Sequence, residues 1–154
     1  MNQKLFLVSL IVLVSLGLGG CAKTSKAPEE LSAAAKGFEA VEDKGVVYLY
    51  RRGRAVGAAA ATQVQVNGNA AGGTGPGTFF RWELKPGKYV FSASTDESSA
   101  AVELEVAAGK IYFVEQNQRI GVSSGRVQMD IRDESKGTAA VEGLKLLVST
   151  YIPD

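Results

Sequence analysis

The amino-acid sequence predicts an all-β domain: an antiparallel β-sandwich of about seven to eight strands, the architecture that regularly spaced strand and turn signals specify. Three observations lead there. Apolar and polar residues alternate with a period of two in most segments from Gly45 onward, Asn67-Gly68 interrupts one alternating run, and Pro86-Gly87-Lys88 and Ala108-Gly109-Lys110 punctuate the rest. A signal and tether segment precedes this domain. A short C-terminal segment follows it, and helix and strand both remain open there.

In chain order, Val46, Tyr48 and Tyr50 share one face of a strand while Val47 and Leu49 share the other. Apolar residues on both faces predict a strand covered on both sides. Gln63-Val64-Gln65-Val66 alternates and runs into Asn67-Gly68, a dipeptide that tolerates the positive φ angles of a two-residue hairpin. Its return strand, Asn69 to Gly72, carries little side-chain signal. Phe80, Trp82 and Leu84 then share a face opposite Arg81 and Glu83, and Pro86-Gly87 turns the chain into Tyr89, Phe91 and Ala93. Val102, Leu104 and Val106 alternate with Glu103 and Glu105, which predicts a half-buried strand with one wet face. Ile111 to Gln116 and Arg126 to Arg132 complete the set. The two Gly-Lys turns invite reading as a repeat, although a turn followed by a strand is what any β-meander offers. Near the end, Ala140, Val141, Leu144, Leu147 and Val148 fit helical spacing, whereas Leu144, Leu146 and Val148 alternate as a strand would.

Ahead of the domain, Lys4 precedes an apolar run from Leu5 to Leu18, broken only by Ser9, Ser15 and Gly17, and then comes Gly19-Gly20-Cys21. A basic start, an apolar stretch and small residues mark residues 1–20 as a secretion signal. As a helix the run would reach about 21 Å, short of the roughly 30 Å hydrocarbon core, so it reads as a transient signal and not a permanent span. Leu18, Gly19, Gly20 and Cys21 form a lipobox: a branched apolar residue three before the cysteine, with small residues between that let the backbone enter a processing peptidase. Cys21 is therefore the expected site of diacylglycerol attachment and, after cleavage, the new amino terminus. Acyl chains joined to one residue meet the two-signal requirement for stable anchoring. The expected address is the cell envelope, on a membrane through Cys21. Ala22-Lys23 follows in place of an aspartate, which favours the outer membrane, facing the periplasm, in a cell with two membranes.

Residues 21–44 read as the lipidated cysteine and a polar tether, 45–148 as the sandwich, and 149–154 as a tail. Within the tether, Pro28-Glu29-Glu30, a run of alanines and Lys36-Gly37 carry helix start and stop signals, with Phe38 placed to dock onto the domain. Disorder fits the same composition, because short isolated helices are marginal in water.

Several stretches together resemble a family of uncharacterised bacterial lipoproteins catalogued as a domain of unknown function. They are Ala34-Ala35-Lys36-Gly37-Phe38, Gly45-Val46-Val47-Tyr48-Leu49-Tyr50-Arg51, Gln65-Val66-Asn67-Gly68, Leu84-Lys85-Pro86-Gly87-Lys88-Tyr89 and Ala108-Gly109-Lys110-Ile111-Tyr112-Phe113. The resemblance implies a compact sandwich of prealbumin-like or related type, and it carries no activity and no catalytic residues. The chain departs from the family pattern at Arg52-Gly53, where a proline is expected, and the loop beyond is rich in alanine.

Composition narrows the chemistry further. Removing the signal from 154 residues leaves 154 − 20 = 134, and with Lys4 gone the 17 basic residues become 16, balancing 16 acids. That balance does not steer toward nucleic acid. There is no histidine, and the single cysteine is assigned to lipid, which removes Ser-His-Asp and Cys-His nucleophiles and the usual zinc and copper sites. No cofactor or metal is expected. Carboxylates remain, as Asp96 with Glu97 and as Asp130 with Asp133 and Glu134, and solvated acids at loops are the plainer reading. Gly72 to Thr78 lacks the lysine and following helix of a phosphate cradle and reads as a surface loop. Arg51, Arg52 and Arg54 beside Tyr48 and Tyr50 form the one basic and aromatic cluster, a candidate interaction patch for headgroup phosphates, an acidic glycan or a partner's carboxylates. A solvated strand end is the alternative there. Trp82, flanked in-face by Phe80 and Leu84, reads as core.

Together these readings predict a lipid-anchored, non-catalytic interaction or structural module of the envelope, whose partner is another envelope protein or a glycan. The alternative is a periplasmic glycan binder or a carboxylate-based carbohydrate-active enzyme, which would show two acids in a cleft beside an exposed Trp82.

Overall fold

The structure, a computed structural model, describes residues 24–53 and 61–154. Cys21, the lipobox residues Leu18, Gly19 and Gly20, and Arg54 lie outside the described residues. Two sheets form a sandwich. The first runs β8-β7-β1-β4-β9 and the second β3-β2-β5-β6. In chain order the strands are β1 (Gly45–Arg51), β2 (Thr62–Val66), β3 (Asn69–Thr74), β4 (Thr78–Leu84), β5 (Gly87–Ser94), β6 (Ser99–Val106), β7 (Ile111–Arg119), β8 (Arg126–Arg132) and β9 (Lys145–Leu146). Helix α1 (Glu29–Ala35) precedes the first strand, and α2 (Glu134–Val141) lies between β8 and β9. The C-terminal segment is thus helix first and strand after.

The Asn67-Gly68 turn joins β2 to β3 with φ of 50° and 79°, the paired positive angles its sequence predicts. Neighbours joined by short turns pair antiparallel, as in β5 with β6 and β7 with β8. Two other contacts within the first sheet are parallel: β1 with β7, from Val46 opposite Ile111 to Tyr50 opposite Glu115, and β4 with β9. These strands are remote in sequence, so no turn fixes their direction. The stretch Gly72-Gly73-Thr74, read from its glycines as loop, completes β3, and Thr74 is fully buried. The turn proper is confined to Gly75-Pro76-Gly77, where the Thr78 hydroxyl donates to Gly75 O at 2.7 Å.

β1 is buried along its whole length, and its two faces serve two cores. Val47 and Leu49 pack between the sheets with Val64, Val66, Phe80, Trp82, Leu84, Phe91, Leu104 and Val114. Val46, Tyr48 and Tyr50 pack on the outer face with Ala35, Phe79, Phe113 and Val141 beneath the helices. The Tyr48 and Phe113 rings stack at 5.1 Å, and Phe38 tilts onto both. The Tyr48 hydroxyl donates to Ala35 O at 2.6 Å and accepts from Arg81 Nε at 3.3 Å, which pins the end of α1 to the sheet.

Gly137 of α2 rests on the same aromatic cluster: a Cβ there would lie 2.1 Å from Phe113 Cγ. Gly137→Ala is therefore expected to lower the unfolding free energy by about 1–3 kcal/mol, the usual cost of overfilling a packed core. This is the net expectation although alanine favours a helix interior by about 1 kcal/mol. Urea denaturation measures it, and an unchanged midpoint would show that α2 slides off Phe113 freely.

The stretch read from composition as a tether is docked over its described length. Gly73 N donates to Thr24 Oγ1 at 2.6 Å, Ala27 N to Leu146 O at 2.8 Å, and Val148 N to Ser25 O at 2.8 Å. Ser32 and Ala35 of α1 are buried, and Lys145 Nζ reaches Glu29 Oε2 at 2.7 Å. The tail is held as well: Thr150 N donates to Ala71 O at 3.0 Å, and its hydroxyl donates to Ala70 O at 3.0 Å. These two terminal segments close the side of the sandwich between β9 and β3. Backbone hydrogen bonds, which composition does not record, hold them there.

Candidate functional site

The basic cluster lies at the end of β1, and strand alternation decides its fate. Successive side chains on a strand point to opposite faces, so Arg51 turns between the sheets and Arg52 turns to the outer face. Arg51 is 3% exposed. Its Nη1 donates to Thr74 O at 3.2 Å and lies 3.5 Å from Thr62 Oγ1. Burial lowers its pKa from the free value, and an arginine remains charged nonetheless.

Around it the inter-sheet core ends in polar side chains. The Thr74 hydroxyl donates to Gln116 Oε1 at 2.7 Å, and Gln118 Nε2 donates to Thr62 Oγ1. Gln116 is itself buried. These residues follow the inward parity of Val64 and Val114, which was the available sequence signal.

On the opposite face, Glu115 of β7 is buried between two guanidinium groups. Arg132 Nε donates to Glu115 Oε2 at 2.6 Å. Arg52 Nε lies 2.8 Å from Oε1, a close charge contact without hydrogen-bond alignment. Arg132 also reaches Asp130 at 3.4 Å. The hydrogen bond to Glu115 holds Arg132 protonated beyond its ordinary range. Burial first, and the Glu115 charge second, push the Tyr50 phenol up. The arrangement joins β1, β7 and β8, and what it does chemically is neutralise a buried charge.

The structure thus separates Arg51 from Arg52 by the thickness of a sheet, and the two present no common surface. Of the candidate acids, Asp130, Asp133 and Glu97 are likewise engaged, Asp130 with Arg132. Asp133 caps α2, accepting from Lys136 N at 2.9 Å, and that bond holds its pKa down. Glu97, from the turn between β5 and β6, accepts from Val122 N and Ser123 N, each at 3.0 Å, and so braces the turn between β7 and β8.

The Ser123 amide foremost, with the Val122 amide and the Ser123 hydroxyl, holds the Glu97 pKa below its ordinary value. A carboxylate depressed in the folded state stabilises above its unfolded pKa and ceases to as pH falls through the folded one. Glu97→Ala is expected to flatten the acid limb of the stability curve and to speed amide exchange at Val122 and Ser123 at neutral pH. Exchange unchanged at both amides would show that Glu97 does not brace the turn.

Trp82 is 3% exposed, its ring 5.2 Å from Phe80 and 5.9 Å from Phe91, and its Nε1 donates to Ser149 Oγ at 2.9 Å. It offers no face on which a sugar could stack. An open groove passes its edge, lined by Lys44, Arg81, Glu83, Tyr151 and Asp154, and the Glu83 carboxylate there is paired with Arg81 Nη1 at 2.9 Å. Among the described residues, no group of three or more His, Cys, Asp or Glu side chains is placed to hold a metal ion. No described helix is long and apolar enough to cross a membrane.

Fold and site together define a small two-sheet sandwich with mixed strand directions, in which the described members of the predicted patch are engaged in holding strands together. The chain belongs to the family described as protein of unknown function DUF2846, which matches residues 41–128. It is also similar to an uncharacterized protein of Haemophilus influenzae, 28% identical over 148 residues that cover 96% of this chain and 88% of that one.

Proposed function

We propose that the chain is a lipid-anchored lipoprotein of the cell envelope whose sandwich serves as a non-catalytic interaction or structural module. The lipobox ending at Cys21 carries this reading: a signal-length apolar run delivers a lone cysteine behind Leu18-Gly19-Gly20. The fold supports it, because Thr24 is already bonded to β3. A folded domain begins within three residues of the anchor, as suits a protein kept at a membrane surface. The engagement of Glu115, Glu97 and Asp133 in structural contacts, and the burial of Trp82, support a binding or structural role over carboxylate catalysis.

A Cys21→Ser substitution tests the anchor. The wild type is expected to incorporate labelled fatty acid and to sediment with membranes, and the variant to lose both. Equal labelling or equal sedimentation of the two would overturn the lipoprotein reading. Crosslinking in intact cells, with the wild type and Cys21→Ser compared, identifies the partner.

A further inference from the structure

A lipid anchor restricts which side of a domain faces the bilayer only if the intervening chain is short. Here it is. From Cys21 to Thr24 there are three residue steps, which span at most about 11 Å even when fully extended. Thr24 itself is fixed, since Gly73 N donates to its hydroxyl at 2.6 Å. The headgroup layer on each side of a bilayer is about 5–7 Å deep. The point where the chain enters the fold is therefore held within roughly one sheet-to-sheet spacing, about 10 Å, of the lipid. With so little slack, the side carrying Thr24 cannot be turned away from the membrane.

That side is the one closed by the two terminal segments, and it exposes apolar side chains. Val148, whose amide donates to Ser25 O at 2.8 Å, is 51% exposed, and Ile152, two residues beyond the Thr150 that bonds to β3, is 82% exposed. Lys26, paired opposite Leu147, adds an exposed cation beside Val148, while Asp154 lines the groove with Ile152. Apolar side chains with a neighbouring cation suit the interface of an anionic bilayer. Resting on the lipid-anchor reading, we propose that the side of the sandwich between β9 and β3 lies on the headgroup layer, with Val148 and Ile152 against it.

The opposite edge supplies the contrast. Ile120 and Val122 are 82% and 93% exposed in the turn between β7 and β8. β8 ends the first sheet on the side away from β9, about 19 Å off at four strand spacings of roughly 4.8 Å. Exposure alone would favour these residues for contact with lipid, whereas the anchor position holds them away from it.

The test uses the processed, lipidated protein in vesicles of phosphatidylethanolamine and phosphatidylglycerol. Its only native thiol is consumed by the lipid, so single cysteines at Val148→Cys, Ile152→Cys and Val122→Cys can each carry a small fluorophore. Nitroxide-labelled lipid is expected to quench the probes at 148 and 152 several-fold more than the probe at 122. Inserting a ten-residue Gly-Ser spacer between Lys23 and Thr24 is expected to reduce that difference. Equal quenching at all three positions, stronger quenching at 122, or no quenching on protein that floats with the vesicles would overturn the proposed face while leaving the anchor intact. Probe signals at 148 and 152 that follow protein density and ignore the nitroxide would place a second copy there, and would also overturn it. Protein that fails to float would remove the anchor and this proposal together.

Discussion

Trp82→Ala is expected to lower the unfolding free energy by about 3–5 kcal/mol, the range for truncating a buried large aromatic. Three contacts are lost at once. The ring lies between Phe80 and Phe91 in the inter-sheet core, Tyr151 meets it edge-on at 6.3 Å, and its Nε1 bond to Ser149 ties the C-terminal segment to β4. Because that segment also covers β3 and receives the stretch from Thr24, the loss should spread. Amide exchange at Leu147, Val148 and Thr150 is expected to accelerate more than in the β7–β8 hairpin. Trp82→Phe keeps most of the ring and should recover most of the stability, while leaving exchange at Thr150 fast. A loss under about 1 kcal/mol in the alanine variant, typical of a surface change, would show that Trp82 is not the keystone its burial suggests.

Glu115→Ala is the second large effect, expected at about 2–3 kcal/mol. Breaking a buried pair from one side costs about 3–5 kcal/mol because a charge is left uncompensated. Here the stranded partners keep water access, with Arg52 and Arg132 side chains 41% and 35% exposed, so the lower figure applies. The reverse truncations should be milder, since each leaves Glu115 with one guanidinium. A double-mutant cycle of Glu115→Ala with Arg132→Ala measures the coupling directly. A coupling near zero would show that the contact at 2.6 Å is geometry without energy.

Much of the sandwich was legible because side-chain parity is local information. Val46 to Tyr50 showed apolar residues on both faces, and the structure gives each face a core of its own. The Asn67-Gly68 and Pro86-Gly87 signals separated β2 from β3 and β4 from β5 for the same reason. Parity says which face a residue serves but not which strand lies beside it, so the parallel pairing of β1 with β7 was hidden. The described part of the tether escaped for another reason: its attachments run through the amides of Ala27 and Val148 and the hydroxyl of Thr24, and an average composition passes over these. At the candidate site, nearness in sequence brought Arg51 and Arg52 together, although the alternation used elsewhere places them on opposite faces. Glu115 carried no signal because its partners, Arg52 just past β1 and Arg132 on β8, are remote from it in sequence.

The closure of one side by both chain ends also fixes an order of events. Ser25 and Ala27 find their partners at Val148 and Leu146, at the far end of the described fold in chain order. A chain made from its N-terminus onward therefore holds Ser25 and Ala27 without these partners until Leu146 and Val148 have emerged. Once those residues arrive, the stretch from Thr24 to Ala27 is drawn into the fold, so the side it closes is a late part of the sandwich to form.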